Sequence, residues 1–383
     1  MSDYPEGGPE PGRSVAAVRA VFETSAQSPQ VGASEADKAE AAESVPRETA
    51  ARAEGVENAN PAPYGDQPPQ AQAPQAHETG SADQADTPIA AAAAAVVRLS
   101  HPEPYPRPSA TRRMTVANQK GGVGKTTSAV NLAAALAIHG LRVLLIDLDP
   151  QGNASTALDV PHHSGVPSVY EALIDGVPLE DTAVPVAALP GLVCVPATID
   201  LAGAEIELVS MVARESRLKR ALDAYLRSRV DAGDPVDYVL VDCPPSLGLL
   251  TVNALVAAVE VLIPIQCEYY ALEGLGQLLR NVDLVRGHLN ADLEISTILL
   301  TMYDGRTKLA EQVAGEVREH FGPAVLRSVI PRSVRLSEAP SYGQSILTYD
   351  PGSPGALSYV DAARELADRG AEPQPRSGAE GEL

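Results

Sequence analysis

The chain has 383 residues and a formal net charge of −21 at pH 7. Such a charge argues against a protein coated in positive potential, so any contact with nucleic acid must come from a local basic patch. The apolar run 89–97 reaches only about half the length that a membrane-spanning helix needs. Because no N-terminal signal pattern is present either, the sequence predicts a soluble cytoplasmic protein.

Residues 1–110 are dominated by Ala, Pro, Gln, Glu and Ser and contain few large apolar side chains. Such a segment cannot bury enough apolar surface to offset its ordering entropy, so the sequence predicts a disordered acidic extension. Short helices are predicted at 15–22, 34–42 and 89–99. The first carries an apolar face and is a candidate peptide for docking to a polar or scaffold protein. The alternative is a solvated tail with no partner.

The pattern changes at Arg112, where apolar runs of four to six residues begin to alternate with longer helical patterns. This alternation is typical of βαβ units, and it predicts an α/β fold with a mostly parallel, doubly wound sheet in a three-layer α/β/α arrangement. The domain is predicted to span 111–369, followed by a flexible tail at 370–383. The predicted strands are 114–117, 143–146, 192–195, 238–241, 259–264, 296–300 and 325–330. The predicted helices are 126–139, 201–229, 247–258, 269–288, 309–321 and 355–367.

A glycine-rich loop lies between the first predicted strand and the first predicted helix. Strand, glycine loop and helix in this order are what a phosphate-binding loop requires. Gly121, Gly122 and Gly124 let the backbone turn tightly and approach phosphate oxygens, and the helix N-terminus adds partial positive charge. Lys125 is placed to reach the β- and γ-phosphates, and the Thr126 hydroxyl is placed to hold Mg²⁺.

The loop departs from the general pattern G-x-x-x-x-G-K-[ST], since Gln119 stands where the first glycine should be. An additional lysine, Lys120, stands at its start. Two of the five lysines of the chain therefore lie in this loop, which argues against a glycine-rich turn without chemical function.

Three carboxylates follow two of the predicted strands. Asp147 and Asp149 end the second strand, and Asp242 ends the fourth after four apolar residues. Ligands bind at the C-terminal ends of strands in open α/β sheets, so these groups could order Mg²⁺ and polarise a water against the γ-phosphate. The alternative for the first pair is an acidic turn that caps a helix at Asn153. An aspartate ending a buried strand is also common.

The three cysteines, Cys194, Cys243 and Cys267, lie in or beside apolar strand-like runs. They are interpreted as small buried hydrophobic residues in a reducing compartment, and not as a disulfide set or a metal cluster.

With these motifs in hand, the chain resembles the ParA-type (Soj-like) partition ATPases of the deviant Walker A class. The resemblance covers roughly two-thirds of the chain and says nothing about the N-terminal third. It is carried by six blocks in the same order: ANQKGGVGKTT (117–127), LIDLDPQGN (145–153), ELVSMVARE (207–215), DCPPSLG (242–248), QCEYYALEG (266–274) and PRSVRLSEAP (331–340).

The resemblance implies a role for each matching residue. Lys120 would reach across an ATP-dependent homodimer to the nucleotide of the partner, which would couple hydrolysis to dimerisation. Asp149 would activate water, with Lys120 and Lys125 as the other catalytic residues. The magnesium-side residues would be Thr126, Asp147 and Asp242. The nucleotide-binding residues would be Lys120, Gly121, Gly122, Val123, Gly124, Lys125, Thr126, Thr127, Pro331 and Ser333; the last stands where the family has an asparagine that contacts adenine.

The resemblance also implies nonspecific binding of double-stranded DNA through arginines on the surface of the dimer, and a ParB-type centromere-binding partner. The matching positions are Arg306, Arg332 and Arg335. A further basic cluster includes Lys219 and Arg220. The alternative for each arginine is a solvated face or an ion pair. The expected cofactors are ATP and Mg²⁺, and the expected location is the nucleoid in the cytoplasm.

Three other classes of protein agree less well with the sequence. A membrane-cycling, MinD-like ATPase that positions a cargo other than DNA needs a basic amphipathic C-terminal helix, and residues 370–383 have neither the apolar face nor the charge. An iron–sulfur reductase of the same nucleotide class needs suitably placed cysteines. A scaffold without activity is disfavoured by the intact loop and its three carboxylates.

Overall fold

The computed structural model describes residues 102–268 and 275–371. The extension up to residue 101, with its three predicted short helices and its predicted disorder, lies outside the described residues. So do residues 269–274 and 372–383. Within the described ranges, no helix combines the length and the apolar character needed to cross a membrane.

An eight-stranded sheet forms the centre of the fold, in the order β3-β4-β2-β5-β1-β6-β7-β8. Its neighbouring strands are parallel except for β3 and β4, which are antiparallel. The predicted mostly parallel sheet is therefore confirmed. The strands are β1 (Arg112–Val116), β2 (Val143–Asp147), β3 (Val184–Pro185), β4 (Leu192–Val195), β5 (Tyr238–Asp242), β6 (Glu260–Gln266), β7 (Glu294–Tyr303) and β8 (Val325–Pro331).

Helices cover both faces of this sheet. They are α1 (Lys125–Ile138), α2 (Asn153–Ala157), α3 (Val169–Ile174), α4 (Leu179–Thr182), α5 (Leu201–Val209), α6 (Arg217–Asp231), α7 (Leu249–Ala257), α8 (Leu275–His288), α9 (Lys308–Phe321), α10 (Val334–Glu338), α11 (Ile346–Tyr349) and α12 (Pro354–Ala371).

Strand β2 shows why the strands are apolar throughout. Leu145 packs in one core with α1 and α12, whereas its neighbours Leu144 and Ile146 pack in another core with α3, α5 and α6. A third core joins β6 and β7 to α7, α8 and α9. Since successive side chains of a strand point to opposite faces, a strand with helices on both faces needs apolar residues at every position.

The predicted helix 201–229 is wrong as one continuous element. It is divided into α5 and α6, and Ala213 between them has a left-handed φ of 52°, a conformation that ends a helix. Leu208 before the break and Leu218 after it are buried in the same core, so the apolar spacing continues across the break and hides it in the sequence.

Strand β3 and the short helices α2, α3, α4, α10 and α11 were not predicted. Each has six residues or fewer, which is too short to show a periodicity. The predicted helix 269–288 is described only from Leu275 onward, as α8.

The ordered domain begins before residue 111. Tyr105, which the sequence analysis assigns to the extension, is buried and stacks on His139 with ring centroids 3.9 Å apart. Its hydroxyl donates to the Val360 carbonyl oxygen at 2.9 Å. At the other end, α12 continues through Ala371, two residues into the predicted tail.

Candidate functional site

A cleft of about 510 Å³ opens at the C-terminal edge of the sheet. Parallel strands bring their carboxyl ends to the same edge, so segments distant in sequence meet there. Its lining residues are Gly121, Gly122, Gly124, Lys125, Thr126, Thr127, Asp149, Gln151, Asn153, Pro245 and Met302. Most of the predicted phosphate-loop residues are thus brought together with Asp149.

The floor of the cleft is the glycine loop between β1 and α1. Gly122 and Gly124 have φ angles of 74° and 89°, values that L side chains rarely adopt, so glycine is required at both positions. Gly124 is the N-cap of α1, and Lys125 is its first residue. The partial positive charge at the start of this 14-residue helix is therefore directed at the loop, as in phosphate-binding sites.

Two buried polar side chains fix the shape of the loop, and neither belongs to a predicted site residue. Asn118 accepts from the Lys120 N–H at 3.0 Å and donates to the Pro264 carbonyl of β6 at 2.7 Å. The Thr301 hydroxyl of β7 donates to the Val123 carbonyl oxygen at 2.8 Å. The loop is thereby held to two strands besides the one from which it emerges.

The two loop lysines have different environments. Lys125 is buried, and its Nζ donates to the Lys120 carbonyl oxygen at 3.3 Å. Burial lowers the pKa of Lys125, and the negative charges of Asp242 and Asp149 act in the opposite direction. The Lys120 side chain is partly exposed, with Nζ 3.8 Å from Glu268 Oε2. Lys120 is therefore accessible from outside the protomer, whereas Lys125 is directed into it.

Asp147 and Asp242 are neighbours, because β2 and β5 pair in a register that places them side by side. Asp147 accepts hydrogen bonds from the Ser155 N–H at 2.9 Å, the Ser155 hydroxyl at 2.7 Å and the Asp149 N–H at 3.2 Å. Ser155 lies in α2, so Asp147 holds the start of this helix. Asp147 therefore anchors the first turn of the helix that starts at Asn153, and its place among the magnesium-side residues stays a prediction.

Asp242 is fully buried, yet neither of its carboxylate oxygens has a hydrogen-bond partner among the described residues. Burial raises the pKa of Asp242, and the charge of Asp147 raises it further. The nearby Thr126 hydroxyl and Lys125 ammonium lower it in part. A buried carboxylate without partners is costly unless a cation accompanies it. The position therefore fits Mg²⁺, a hard cation that prefers oxygen ligands.

Asp149 lies at the rim of the cleft. Its Oδ1 accepts from the Gln151 N–H at 3.0 Å, and its carbonyl oxygen accepts from the Gly152 N–H at 2.8 Å. These two bonds close a turn that holds the carboxylate toward the phosphate loop. Oδ2 makes no hydrogen bond within the described ranges, so it can accept from a bound water.

Pro331 and Ser333, the predicted adenine contacts, lie at the same edge of the sheet but not in the lining of the cleft. Pro331 ends β8 and pairs with Tyr303 of β7, and Ser333 directly precedes α10. Met302, which directly precedes Tyr303 in β7, does line the cleft. No periodicity or motif marks this methionine in the sequence.

The three arginines predicted to bind DNA are exposed, and each is paired with a carboxylate. Arg306 donates to both oxygens of Asp304, at 2.9 and 2.8 Å. Arg332 donates to Glu268 at 2.9 Å. Arg335 lies 3.2 Å from Glu338 and 3.5 Å from Asp350. The alternative considered for these residues, an ion pair, is therefore what the single chain adopts.

Each such exposed ion pair contributes only about 0–1 kcal/mol to the stability of the fold. An arginine can therefore leave its carboxylate for another anion at little cost in free energy. Glu268 has a second role, since the same carboxylate is shared by Arg332 and Lys120.

The three cysteines are buried and free, as the sequence predicts.

Comparison with known proteins agrees with this site. The family model described as "AAA domain" matches residues 111–295. The sporulation initiation inhibitor protein Soj of Bacillus subtilis is 54% identical over 257 residues, which cover 67% of this chain and 98% of Soj. The chromosome partitioning protein ParA of Caulobacter vibrioides is 51% identical over 266 residues, covering 70% of this chain and 97% of ParA.

Solved structures show the same fold. A Mycobacterium smegmatis structure described as cobyrinic acid a,c-diamide synthase, with bound ADP and magnesium, is 40% identical, with a TM-score of 0.55. The match covers 67% of this chain and 93% of that one. The cell division ATPase MinD of Pyrococcus furiosus is 26% identical, with a TM-score of 0.54, and the match covers 67% of this chain and 99% of MinD.

Proposed function

The chain belongs to the Soj/ParA family of chromosome-partitioning P-loop ATPases, and we propose that ATP and Mg²⁺ switch it between a single chain and a pair of chains that holds DNA. In this cycle, ATP binding closes the pair on nonspecific double-stranded DNA. A ParB-type centromere-binding partner then triggers hydrolysis and release, so that chromosome or plasmid origins are moved apart.

The observation that carries this proposal is the buried carboxylate of Asp242 beside the glycine loop, which has no hydrogen-bond partner in the part of the chain that the structure describes. A fold that served only as a scaffold would leave this group uncompensated at a free-energy cost of about 1–3 kcal/mol or more. A cation that binds beside Asp242 together with a nucleotide would offset this cost. The solved relative with ADP and magnesium supports the same assignment.

In the proposed site, Asp242 and the Thr126 hydroxyl hold Mg²⁺, while Asp147 orients α2 and the Asp149 backbone. The metal ion neutralises charge on the β- and γ-phosphates. Lys125 gives up its contact with the Lys120 carbonyl and binds phosphate oxygens. Asp149, whose Oδ2 makes no hydrogen bond to any described residue, orients the attacking water and accepts its proton.

Lys120 is proposed to act on the nucleotide of the partner protomer. Its partial exposure and its weak pairing with Glu268 across 3.8 Å leave the ammonium free to exchange a carboxylate for a phosphate. A positive charge supplied across an interface stabilises the transition state only after assembly, which links hydrolysis to the pairing of two chains.

We propose that DNA binding uses a similar exchange, in which arginines leave carboxylates and bind phosphates. Arg306, Arg332 and Arg335 move from their carboxylates to DNA phosphates, whose charge density is far higher. Two protomers side by side double the patch and concentrate positive charge locally, although the chain is acidic as a whole. A MinD-like ATPase that positions a different cargo is the alternative proposal.

The proposal is tested by co-sedimentation with duplex DNA of the full chain and of a truncated form that retains the anchor at Tyr105, residues 102–383. Each is assayed with Mg²⁺ and ADP or ATP. We expect DNA to be retained with ATP and released with ADP in both forms. Equal retention with the two nucleotides would contradict the cycle, and retention by the full chain alone would assign DNA binding to the extension.

Arg335→Ala should weaken DNA binding by the same factor for duplexes of unrelated sequence, because a phosphate contact carries no sequence information. The slope of log K against log salt should fall by about one for each arginine that contacts a phosphate. Fluorescence anisotropy at several salt concentrations measures both quantities. Arg220→Ala, an exposed arginine of α6, is the matched control, and a loss of binding there in place of Arg335 would move the DNA surface to α6.

A further inference from the structure

Helix α2 directly follows the turn that carries Asp149, and it has only five residues. A helix of this length is not stable on its own, so contacts made by its side chains hold it in place. Ser155 makes one such contact, to the Asp147 carboxylate. The next residue, Thr156, makes another, to His162. His162 lies outside the six blocks of sequence that carry the family resemblance.

The His162 ring is held at both of its nitrogen atoms. Nδ1 lies 2.8 Å from the Val160 carbonyl oxygen, and because a carbonyl oxygen only accepts, Nδ1 carries a proton and donates it. Nε2 lies 3.1 Å from the Thr156 hydroxyl oxygen, and either of these two atoms can be the donor. Val160 is itself buried in the core that contains α1 and α12, so the ring is bound to a fixed backbone position.

The same ring covers Gly152, the N-cap of α2. A Cβ atom at this glycine would lie 2.8 Å from His162 Cδ2 and 3.1 Å from the Ala197 carbonyl oxygen. Gly152 is therefore enclosed between the ring and the backbone that follows β4. Its carbonyl oxygen also accepts from the Thr156 hydroxyl at 3.0 Å. The ring and this hydroxyl thus hold the glycine together.

Gly152 in turn closes the turn that positions Asp149. Its N–H donates to the Asp149 carbonyl oxygen at 2.8 Å, and the Gln151 N–H donates to the Asp149 carboxylate at 3.0 Å. A shift of Gly152 would therefore move both donors, and with them the carboxylate that is proposed to activate water. His162 is not among the residues that line the cleft, so its effect on Asp149 passes through this turn.

We propose that His162 is a positioning residue for Asp149, which holds the turn from Asp149 to Gly152 in the orientation that hydrolysis needs. This inference rests on the proposed ATPase function and adds to it a residue that no motif in the sequence indicates. The ring affects the rate of hydrolysis and leaves nucleotide affinity to the phosphate loop. A displacement of about 1 Å can cost about 10²-fold in rate, so a small shift of the turn is sufficient.

The test measures kcat and KM for Mg²⁺-ATP and the affinity for Mg²⁺-ADP on the full chain. His162→Ala should lower kcat by roughly tenfold, a part of the loss that a 1 Å displacement causes, and should leave KM and the ADP affinity unchanged. His162→Gln, whose side-chain amide can take the position of Nε2, should recover most of the rate. His163→Ala, which removes the neighbouring exposed histidine, is the matched control and should behave as the wild type does.

Two further comparisons separate positioning from a general loss of structure. Thr156→Val removes the hydroxyl at the other end of the contact and should lower kcat in the same way. Combined with His162→Ala, it should lose no more than either single variant, because the two residues act through one contact. In the Asp149→Ala background, single-turnover hydrolysis should be the same with His162 and with Ala at this position. If His162→Ala does not fold, Thr156→Val still reports on the contact.

Each other result has a defined meaning. Wild-type kcat in both His162→Ala and Thr156→Val would overturn the positioning role. Equal losses in kcat and in ADP affinity would also overturn it, since the ring would then support the cleft as a whole. A further loss in the Asp149→Ala background would show that His162 acts elsewhere. A wild-type chain that binds both nucleotides without hydrolysing ATP would refute the proposed ATPase function itself.

Discussion

Lys120→Ala should remain monomeric at saturating Mg²⁺-ATP, whereas we expect the wild-type chain to form a dimer. The side chain reaches outward, and its one ion pair within residues 102–268 and 275–371 is with Glu268, so its removal should leave the core and the phosphate loop unchanged. We expect ATP hydrolysis to fall by roughly 10³-fold or more, the size of effect seen for a cation supplied across an interface in phosphoryl transfer. Light scattering with and without ATP measures the pairing, and phosphate release measures the rate.

Two variants make this result specific. Lys219→Ala removes another partly exposed lysine, one that pairs with Asp223 at 3.6 Å on α6, and it should pair and hydrolyse as the wild type does. Lys125→Ala should instead lose ATP binding itself, since Lys125 is the buried lysine of the loop. Pairing of the Lys120 variant with ATP would remove this residue from the proposed interface.

Asp149→Ala should separate binding from hydrolysis. ATP binding and pairing should persist, because Asp149 is not placed among the magnesium ligands in the proposed site. Hydrolysis should fall by roughly 10²- to 10⁴-fold, the usual contribution of a general base. The paired state should then stay on DNA after the centromere-binding partner is added, and surface plasmon resonance on immobilised duplex measures its release.

The control for Asp149 is Asp181→Ala, an exposed carboxylate of α4 with no role in the site. Asp149→Asn adds a second comparison, since it keeps the shape of the side chain and its hydrogen bond to Gln151 but cannot accept a proton. Wild-type turnover in either Asp149 variant would contradict its role. A loss of ATP affinity would show that Asp149 contributes to the metal site after all.

The sequence predicts the sheet and the phosphate loop well, because both depend on local patterns. Buried parallel strands need continuous apolar runs, and the loop needs glycine where φ is positive. The break at Ala213 escaped prediction because the apolar spacing continues across it. Strand β3 was not predicted because its two residues are too few to show an alternating pattern.

The parts of the site that the sequence did not predict depend on tertiary contacts. Asn118 joins the loop to the Pro264 carbonyl of β6, and Thr301 of β7 joins it to the Val123 carbonyl, so both contacts link segments that are more than 140 residues apart in the chain. The sharing of Glu268 by Lys120 and Arg332 requires β6, β8 and the loop to be seen together. The different roles of Asp147 and Asp242 follow from which of them Ser155 can reach, and identical aspartates at strand ends give no sign of it.

The stack of Tyr105 on His139 determines where the N-terminal residues join the domain. His139 closes the far end of α1, about 20 Å from the phosphate loop by the rise of a 14-residue helix. Residue 105 and the chain before it therefore join the domain at the end of α1 that is remote from the proposed nucleotide site. An attachment at this end of α1 leaves the entrance to the cleft unobstructed, so the proposed exchange of nucleotide would not require the N-terminal residues to detach.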